Sequence, residues 1–313
     1  MKAIKLKQPG DTNQFQYISI PQPVPAPGEV VIKNKALSIN PVDVKTRSGK
    51  GVYGRLKDID PLIIGWDVSG VVDVVGEGVT DFKTGDEVFG MINFPGHGKA
   101  YAQYVAAPAM HIAKKPENIS HNEAAAATLA ALTAWQVLVT HANVQPGQKV
   151  LIHAAAGGVG HFAVQIAKHL GAYVTGTSSA AKKDLIIGLG ADQHIDYTTQ
   201  KFEEIVTDAD FVFDTVGGEI FSRSLNAVKK NGLVISIPTG MSGDIEAAAK
   251  EKGVRASAML VQSNGTDMKS IAGLLQSGKL KSHIASVYTF EDMAKAHAEL
   301  EQGRTAGKII ITV

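Results

Sequence analysis

A chain of 313 residues exceeds one ordinary domain of ~100–200 residues and points to two. Hydrophobic residues make up 44% and charged residues 19%, which supplies a sizeable core and argues against a disordered chain. The formal net charge of +1 gives no chain-wide attraction to nucleic acid or an anionic membrane, and the absence of cysteine excludes disulfides, thiolate metal sites and a Cys nucleophile.

The segment Met1–Gln22 alternates polar and apolar residues and lacks the apolar core of a signal peptide, so a cytoplasmic protein is expected. The first third reads as β-rich. Strands are expected at 29–36, 68–75 and 101–105, punctuated by Pro27-Gly28, Gly76 and Gly78, and Gly85-Asp86, a pattern of a compact, partly barrel-like β domain. From His121 the character changes to an Ala-rich helix over Asn122–His141. The uncharged stretch 124–148 is long enough to cross a bilayer. Its scattered polar residues, Thr128, Thr133, Gln136, Thr140, His141 and Asn143, would be costly in lipid, so a buried helix is expected instead and no membrane insertion.

Strands and helices then alternate. Short apolar runs at 149–154, 173–177, 193–196, 211–214, 233–237 and 254–259 read as strands. Helices are expected at 158–170 and 180–189, around 202–206 and 221–228, and at 245–251. Six strands in such a series fit an α/β fold with a doubly wound parallel sheet. Two more helices, 268–277 and 290–301, precede a final apolar strand, Lys308–Val313. That strand has no obvious partner in the sheet and is expected to return to the first domain. The expected division is therefore 1–121 plus 272–313 for the β-rich domain and 122–271 for the nucleotide-type domain.

The most informative segment is Ala154-Ala-Ala-Gly-Gly-Val-Gly160. A strand ends, glycines permit a tight turn, and a helix begins with its N–H groups and dipole aimed into the turn. By itself such a turn can be a β–α connection that needs positive φ. In a strand–turn–helix context it reads as a pyrophosphate site formed by Ala156, Gly157, Gly158, Val159 and Gly160, and so as a Rossmann dinucleotide domain. A NAD-type site places Asp or Glu about 20 residues after the turn, at the end of the second strand. Here Thr177-Ser178-Ser179 stands there, followed by Lys182-Lys183, while Asp184 lies inside the next helix. Hydroxyls and an ammonium suit a 2′-phosphate that a carboxylate would repel, which favours NADPH over NADH. The plainer alternative is that both lysines are a solvated first turn.

Taken together, the β domain, the glycine turn and the C-terminal return resemble the medium-chain dehydrogenase/reductase superfamily. More closely, the chain is similar to its zinc-free, NADPH-dependent quinone oxidoreductase branch, including reticulon-4-interacting-protein-like members. The resemblance spans the chain through Ile39-Asn-Pro-Val-Asp-Val-Lys-Thr-Arg-Ser-Gly49, Gly65-Trp-Asp-Val-Ser-Gly-Val-Val72, Phe82-Lys-Thr-Gly-Asp-Glu-Val88, Ala131-Leu-Thr-Ala-Trp135, Gly190-Ala-Asp192 with Asp196-Tyr197, and Gly307-Lys-Ile-Ile-Ile311. It implies a GroES-like catalytic domain beside the Rossmann domain. It also implies that Asn40 approaches the nicotinamide ribose and that Thr133 lies beside the nicotinamide. Ser178, Lys182 and Tyr197, with Ser179 adjoining, match positions around the 2′-phosphate. Val216 and Gly217, and Ile237, Pro238 and Thr239, match loops bordering the cofactor. Tyr53 falls near aromatic positions of the quinone cleft.

Zinc-dependent relatives carry Gly-His-Glu where this chain has Gly65-Trp66-Asp67, and their zinc sites need cysteines, so no metal is expected. His161 and His169 lie eight residues apart, ~80° around an ideal helix, and make no compact metal pair. His97, in Pro95-Gly-His-Gly98, reads as a loop-tip residue with a cleft mouth as the alternative. Asp43 and Asp67 read as turn or structural residues. The expected chemistry is hydride transfer from NADPH to a quinone or an α,β-unsaturated carbonyl, with Asn40 positioning the cofactor and Tyr53 orienting or protonating the acceptor. Alternatives at this point are an enoyl-thioester reductase, a non-catalytic NADPH-binding sensor, and a structural protein that has lost the cofactor. A homodimer through the edge strand at 254–259 is also expected, since an exposed edge needs pairing.

Overall fold

The computed structural model describes residues 1–238 and 240–313. The chain divides into two compact units, Met1–Leu132 with Val261–Val313, and Thr133–Leu260. The sequence expectation put these divisions at 121/122 and 271/272. The displacement has a packing cause at each end. Helix His121–Ala126 buries Ala125 and Ala126 against Ala36 and Ile310, which belong to the first unit. Helix Gly265–Gln276 starts so close to the 110–112 segment that a Cβ on Gly265 would stand 2.6 Å from the Met110 carbonyl oxygen.

The first unit opens with β1 (Lys2–Leu6) and β2 (Phe15–Ser19), an antiparallel pair. It continues with β3 (Glu29–Ile39), β4 (Asp67–Val75), β5 (Glu87–Met91), β6 (Tyr104–Pro108) and β7 (Ile112–Lys114). The expected strand at 101–105 is corrected to β6. Tyr101 is fully buried, its hydroxyl 2.8 Å from His297 Nε2 and its ring against Gly65, so a tertiary pocket holds it out of the ladder.

The second unit holds β8 (Lys149–Ile152), β9 (Tyr173–Ser178), β10 (Gln193–Asp196), β11 (Ala209–Asp214), β12 (Val228–Ser236) and β13 (Arg255–Ala258). All pair in parallel, in the order β10-β9-β8-β11-β12-β13, as the six apolar runs implied. The order reverses between β8 and β11, which makes the carboxyl ends of these strands the place where such sheets bind ligands. Leu151, Ile195, Val212, Phe221 and Val234 form the core beneath.

The chain then returns to the first unit with β14 (Ile284–Thr289) and β15 (Lys308–Thr312). As expected, the last strand leaves the parallel sheet. It pairs antiparallel with β3, Ile311 opposite Leu37, and completes a sheet ordered β14-β15-β3-β4-β5-β7 with β6 also on β3.

The expected continuous helix over 122–141 is broken. Ser120 and Glu123 cap His121–Ala126 reciprocally, the Ser120 N–H donating to Glu123 Oε2 at 2.8 Å and the Glu123 N–H to Ser120 Oγ at 3.2 Å. Thr128 then donates its hydroxyl back to the Ala125 carbonyl, and the Leu129 N–H donates to Asp67 Oδ1 at 2.9 Å. A new helix, Leu129–Trp135, follows and passes into a π-helical turn, Gln136–His141. A hydroxyl and a carboxylate thus take over bonds that an uninterrupted helix would make itself.

Candidate active site

Most of the anticipated cofactor residues lie at the carboxyl ends of the parallel strands. Ala156–Gly160 follow β8, Ser178 ends β9 with Ser179 next, Tyr197 follows β10, Val216 and Gly217 follow β11, and Ile237 and Pro238 follow β12. Thr239 lies outside the described residues. Lys182 ends a single turn, Ala180–Lys182, after β9.

The turn after β8 has the geometry an anion requires. The Gly157 N–H donates to the Ala154 carbonyl at 2.7 Å, and the His161 N–H donates to the Gly157 carbonyl at 3.1 Å. Among the described residues, no backbone carbonyl accepts from the N–H groups of Gly158, Val159 or Gly160, which head the ten-residue helix Gly160–His169. Such groups at a helix start favour a phosphate. A Cβ on Gly157 would meet only Ala154, its carbonyl oxygen at 3.1 Å, so a ligand can approach this backbone closely. Ala154 itself adopts φ +45, a conformation rare outside glycine. The residues therefore fit the pyrophosphate of a nicotinamide dinucleotide.

Three side chains outside the anticipated cofactor residues support the carboxyl ends of these strands. His161 is buried, and its Nδ1 donates to the Gly157 carbonyl at 2.9 Å, bracing the turn. His153, directly after β8, is buried as well. Ser224 donates its hydroxyl to the Ile220 carbonyl, so it accepts from His153 Nε2 at 3.0 Å, which leaves Nδ1 to accept from the Thr177 hydroxyl at 3.3 Å. Burial pushes the His153 imidazole down to about 4, so it stays neutral. Asp214, wholly buried at the end of β11, accepts from the Val216 and Gly217 N–H groups at 2.9 Å and from the Ser236 hydroxyl at 2.7 Å, which shapes the loop after β11. For His153 and Asp214 the available signal was a histidine or aspartate closing an apolar strand.

The end of β9 carries no carboxylate. The Ser178 hydroxyl donates to the Ser179 carbonyl and accepts from His194 Nε2, each at 3.0 Å. His194, on the neighbouring β10, is a further group at this corner that sequence reasoning did not name.

The first unit contains a separate polar cluster around Asn40. Asn40 precedes helix Pro41–Arg47, and its main-chain N–H donates to Asp43 Oδ2 at 2.7 Å. Its side-chain Nδ2 donates to Asp67 Oδ2 at 2.7 Å, while its Oδ1 accepts from the Lys308 ammonium. Lys308 donates as well to the Ile39 carbonyl at 3.1 Å and lies 4.0 Å from Asp67 Oδ2. All four side chains are buried. Burial pushes Asp43 up to about 7, reinforced by the neighbouring Asp67, and it also raises Asp67 and lowers Lys308, against their mutual attraction. Asp43 and Asp67 are thus structural hydrogen-bond residues, as their plainer reading had it. Tyr53 is half-buried and opens a short helix, Tyr53–Leu56, outside this bonded cluster. Thr133 is buried in helix Leu129–Trp135.

His97 is half-buried and bound to the Ile63 carbonyl through Nε2 at 2.8 Å, and burial lowers it to about 4; it locks its loop. Residues 26–117 match the alcohol dehydrogenase GroES-like domain family, and residues 189–311 match the zinc-binding dehydrogenase family. A zinc ion does not fit the residues present. The chain has no cysteine, no cluster of three His, Asp or Glu suited to a metal occurs among the described residues, and Asp67 is committed to Asn40 and Leu129.

The chain is 38% identical over 293 residues to the 2-methylene-furan-3-one reductase of Solanum lycopersicum, covering 90% of this chain and 71% of that protein. It is 34% identical over 292 residues to the chloroplastic NADPH-dependent alkenal/one oxidoreductase of Arabidopsis thaliana, covering 90% and 72%. The structure of the quinone oxidoreductase from Coxiella burnetii superposes with a TM-score of 0.94 at 37% identity, covering 100% of this chain and 99% of that one. The chain belongs to the medium-chain dehydrogenase/reductase superfamily, with quinone and alkenal oxidoreductases among its relatives. Its two units are the GroES-like and Rossmann-type parts of that fold, and it is a nicotinamide-dependent oxidoreductase.

Proposed function

We propose that this protein reduces quinones or α,β-unsaturated carbonyls with NADPH, without zinc. The observation that carries the cofactor choice is the end of β9, where Ser178, Ser179 and Lys182 occupy the place of a ribose-binding carboxylate. When bound, NADPH supplies hydride from the nicotinamide to the conjugated carbon of the acceptor. The N–H groups of Gly158, Val159 and Gly160 hold the pyrophosphate, and Val216, Gly217, Ile237 and Pro238 border it. Asn40 and Thr133 meet the nicotinamide end, and Tyr53 orients the acceptor. The relatives' named substrates, a methylene-furanone and alkenals or alkenones, share the conjugated carbonyl that such a reduction requires. The β13 edge, which pairs with β12 alone among the described strands, forms a dimer with its copy in this reading.

Titration with NADPH and NADH, then acceptor-dependent oxidation with quinones and simple enones, tests the reading. Selective NADPH binding with fast turnover is expected; tight binding without turnover on either acceptor class would overturn the catalytic part. Unchanged turnover in Tyr53→Phe with several acceptors would remove Tyr53 from the site.

A further inference from the structure

Asn40 is a carboxamide, a side chain whose two ends have nearly the same shape and opposite hydrogen-bonding character. Free in a site, it presents donor and acceptor in either sense. Here it is held from both sides by charge. Nδ2 donates to the Asp67 carboxylate, and Oδ1 accepts from the Lys308 ammonium. Rotating the amide by half a turn would set its N–H groups against an ammonium and its oxygen against a carboxylate, two repulsive contacts inside a dry cluster.

The clamp is expensive to build. Lys308 is 3% exposed and Asp67 1%, so both charges are taken out of water. The residues beside Lys308 in β15, Ile309, Ile310 and Ile311, are buried and apolar, so packing alone does not call for an ammonium at this position. Nor is the pair simply a close ion pair, since Lys308 Nζ stands 4.0 Å from Asp67 Oδ2 with the Asn40 amide bonded to both. The second oxygen of Asp67 receives the Leu129 N–H at 2.9 Å, at the start of the helix that carries Thr133. One carboxylate therefore fixes Asn40 and the origin of that helix together.

We infer that Asp67 and Lys308 are positioning residues that set the orientation of the Asn40 carboxamide for the bound nicotinamide cofactor. The inference rests on the cofactor reading above for what Asn40 meets, and on the hydrogen bonds alone for how it is held.

The test uses the full chain with Asn40→Ala, the charge-balanced pair Asp67→Asn/Lys308→Met, and the triple combination. Removing both charges together avoids leaving one buried and unpaired, and melting curves confirm folding. In ligand-free protein, the Asn40 side-chain amide resonance, assigned by its loss in Asn40→Ala, is expected to move in the paired variant. In wild type it is expected to move on addition of NADP⁺. With an enone acceptor, the paired variant is expected to lose kcat by roughly 10- to 100-fold with a smaller change in the NADPH KM, and adding Asn40→Ala is expected to cost nothing further. An Asn40 resonance unmoved in the paired variant, or penalties that multiply in the triple variant, would overturn the positioning role. Intact NADP⁺ binding that leaves the wild-type resonance in place overturns it as well, while leaving the proposed function standing. A wild-type protein that binds neither NADPH nor NADP⁺ overturns the proposed function and this role with it.

Discussion

A Cβ on Gly160 would stand 2.2 Å from the Ala154 carbonyl oxygen and 2.8 Å from the Ala155 Cα, closer than real Cβ atoms approach backbone. The start of helix Gly160–His169 is therefore pressed onto the end of β8, and that contact brings its N–H groups to the turn. Gly160→Ala should destabilise the fold by ~1–3 kcal/mol through overpacking against backbone that cannot yield. It should also weaken NADPH binding, because the helix start must move away from the turn. Chemical denaturation and a fluorescence titration check both. Unchanged affinity in a folded variant would mean that this turn does not hold the cofactor.

In the proposed function, cofactor choice lies with the corner after β9. Lys182→Glu should raise the NADPH KM by roughly tenfold or more, since a carboxylate replaces the ammonium offered to the 2′-phosphate, and should leave NADH within about twofold. Steady-state kinetics with both cofactors measure the ratio. Equal effects on the two would reduce Lys182 to a solvated helix residue.

Buried titratable groups set opposing pH dependences. Burial holds His153 at about 4 and His297 at about 3, below the ordinary 6.5, so between those values and 6.5 the unfolded chain binds protons that the folded chain does not. Their contribution to stability is complete above pH 6.5 and is lost as pH falls. Asp43 runs the other way. Raised from 3.8 to about 7, it keeps a proton in the folded state that the unfolded chain has released, so its contribution weakens as pH rises through that window. Each such group is worth at most about 1.4 kcal/mol per pH unit. Stability should fall from pH 6.5 to 4.5, and the fall should steepen in Asp43→Asn, which removes the opposing slope. Urea midpoints across this range measure it. Parallel curves for wild type and Asp43→Asn would contradict the buried, protonated state of Asp43.

The parallel sheet was legible because its strands are apolar runs bounded by Gly and Pro, and the glycine turn was legible because it sits between a strand and a helix. What escaped depends on groups distant in sequence. The break before Leu129 exists because Asp67, 62 residues earlier, takes its N–H. β14 was not anticipated as a strand, and its alternation of half-buried and exposed residues at a sheet edge gives only a weak periodic signal. Lys308 heads a legible apolar strand, but nothing in its sequence neighbourhood singles out the ammonium. Its burial follows from Asn40, Asp67 and the Ile39 carbonyl, which come to it only through the pairing of β15 with β3.

The central claim, an NADPH-dependent reduction of conjugated acceptors that needs no zinc, is tested most directly by NADPH oxidation rates with a quinone and an enone, in chelator-treated protein. The account predicts fast acceptor-dependent oxidation, far slower with NADH, and unchanged by chelation or by added zinc. Activity restored only by zinc, or alcohol oxidation in place of enone and quinone reduction, would contradict it.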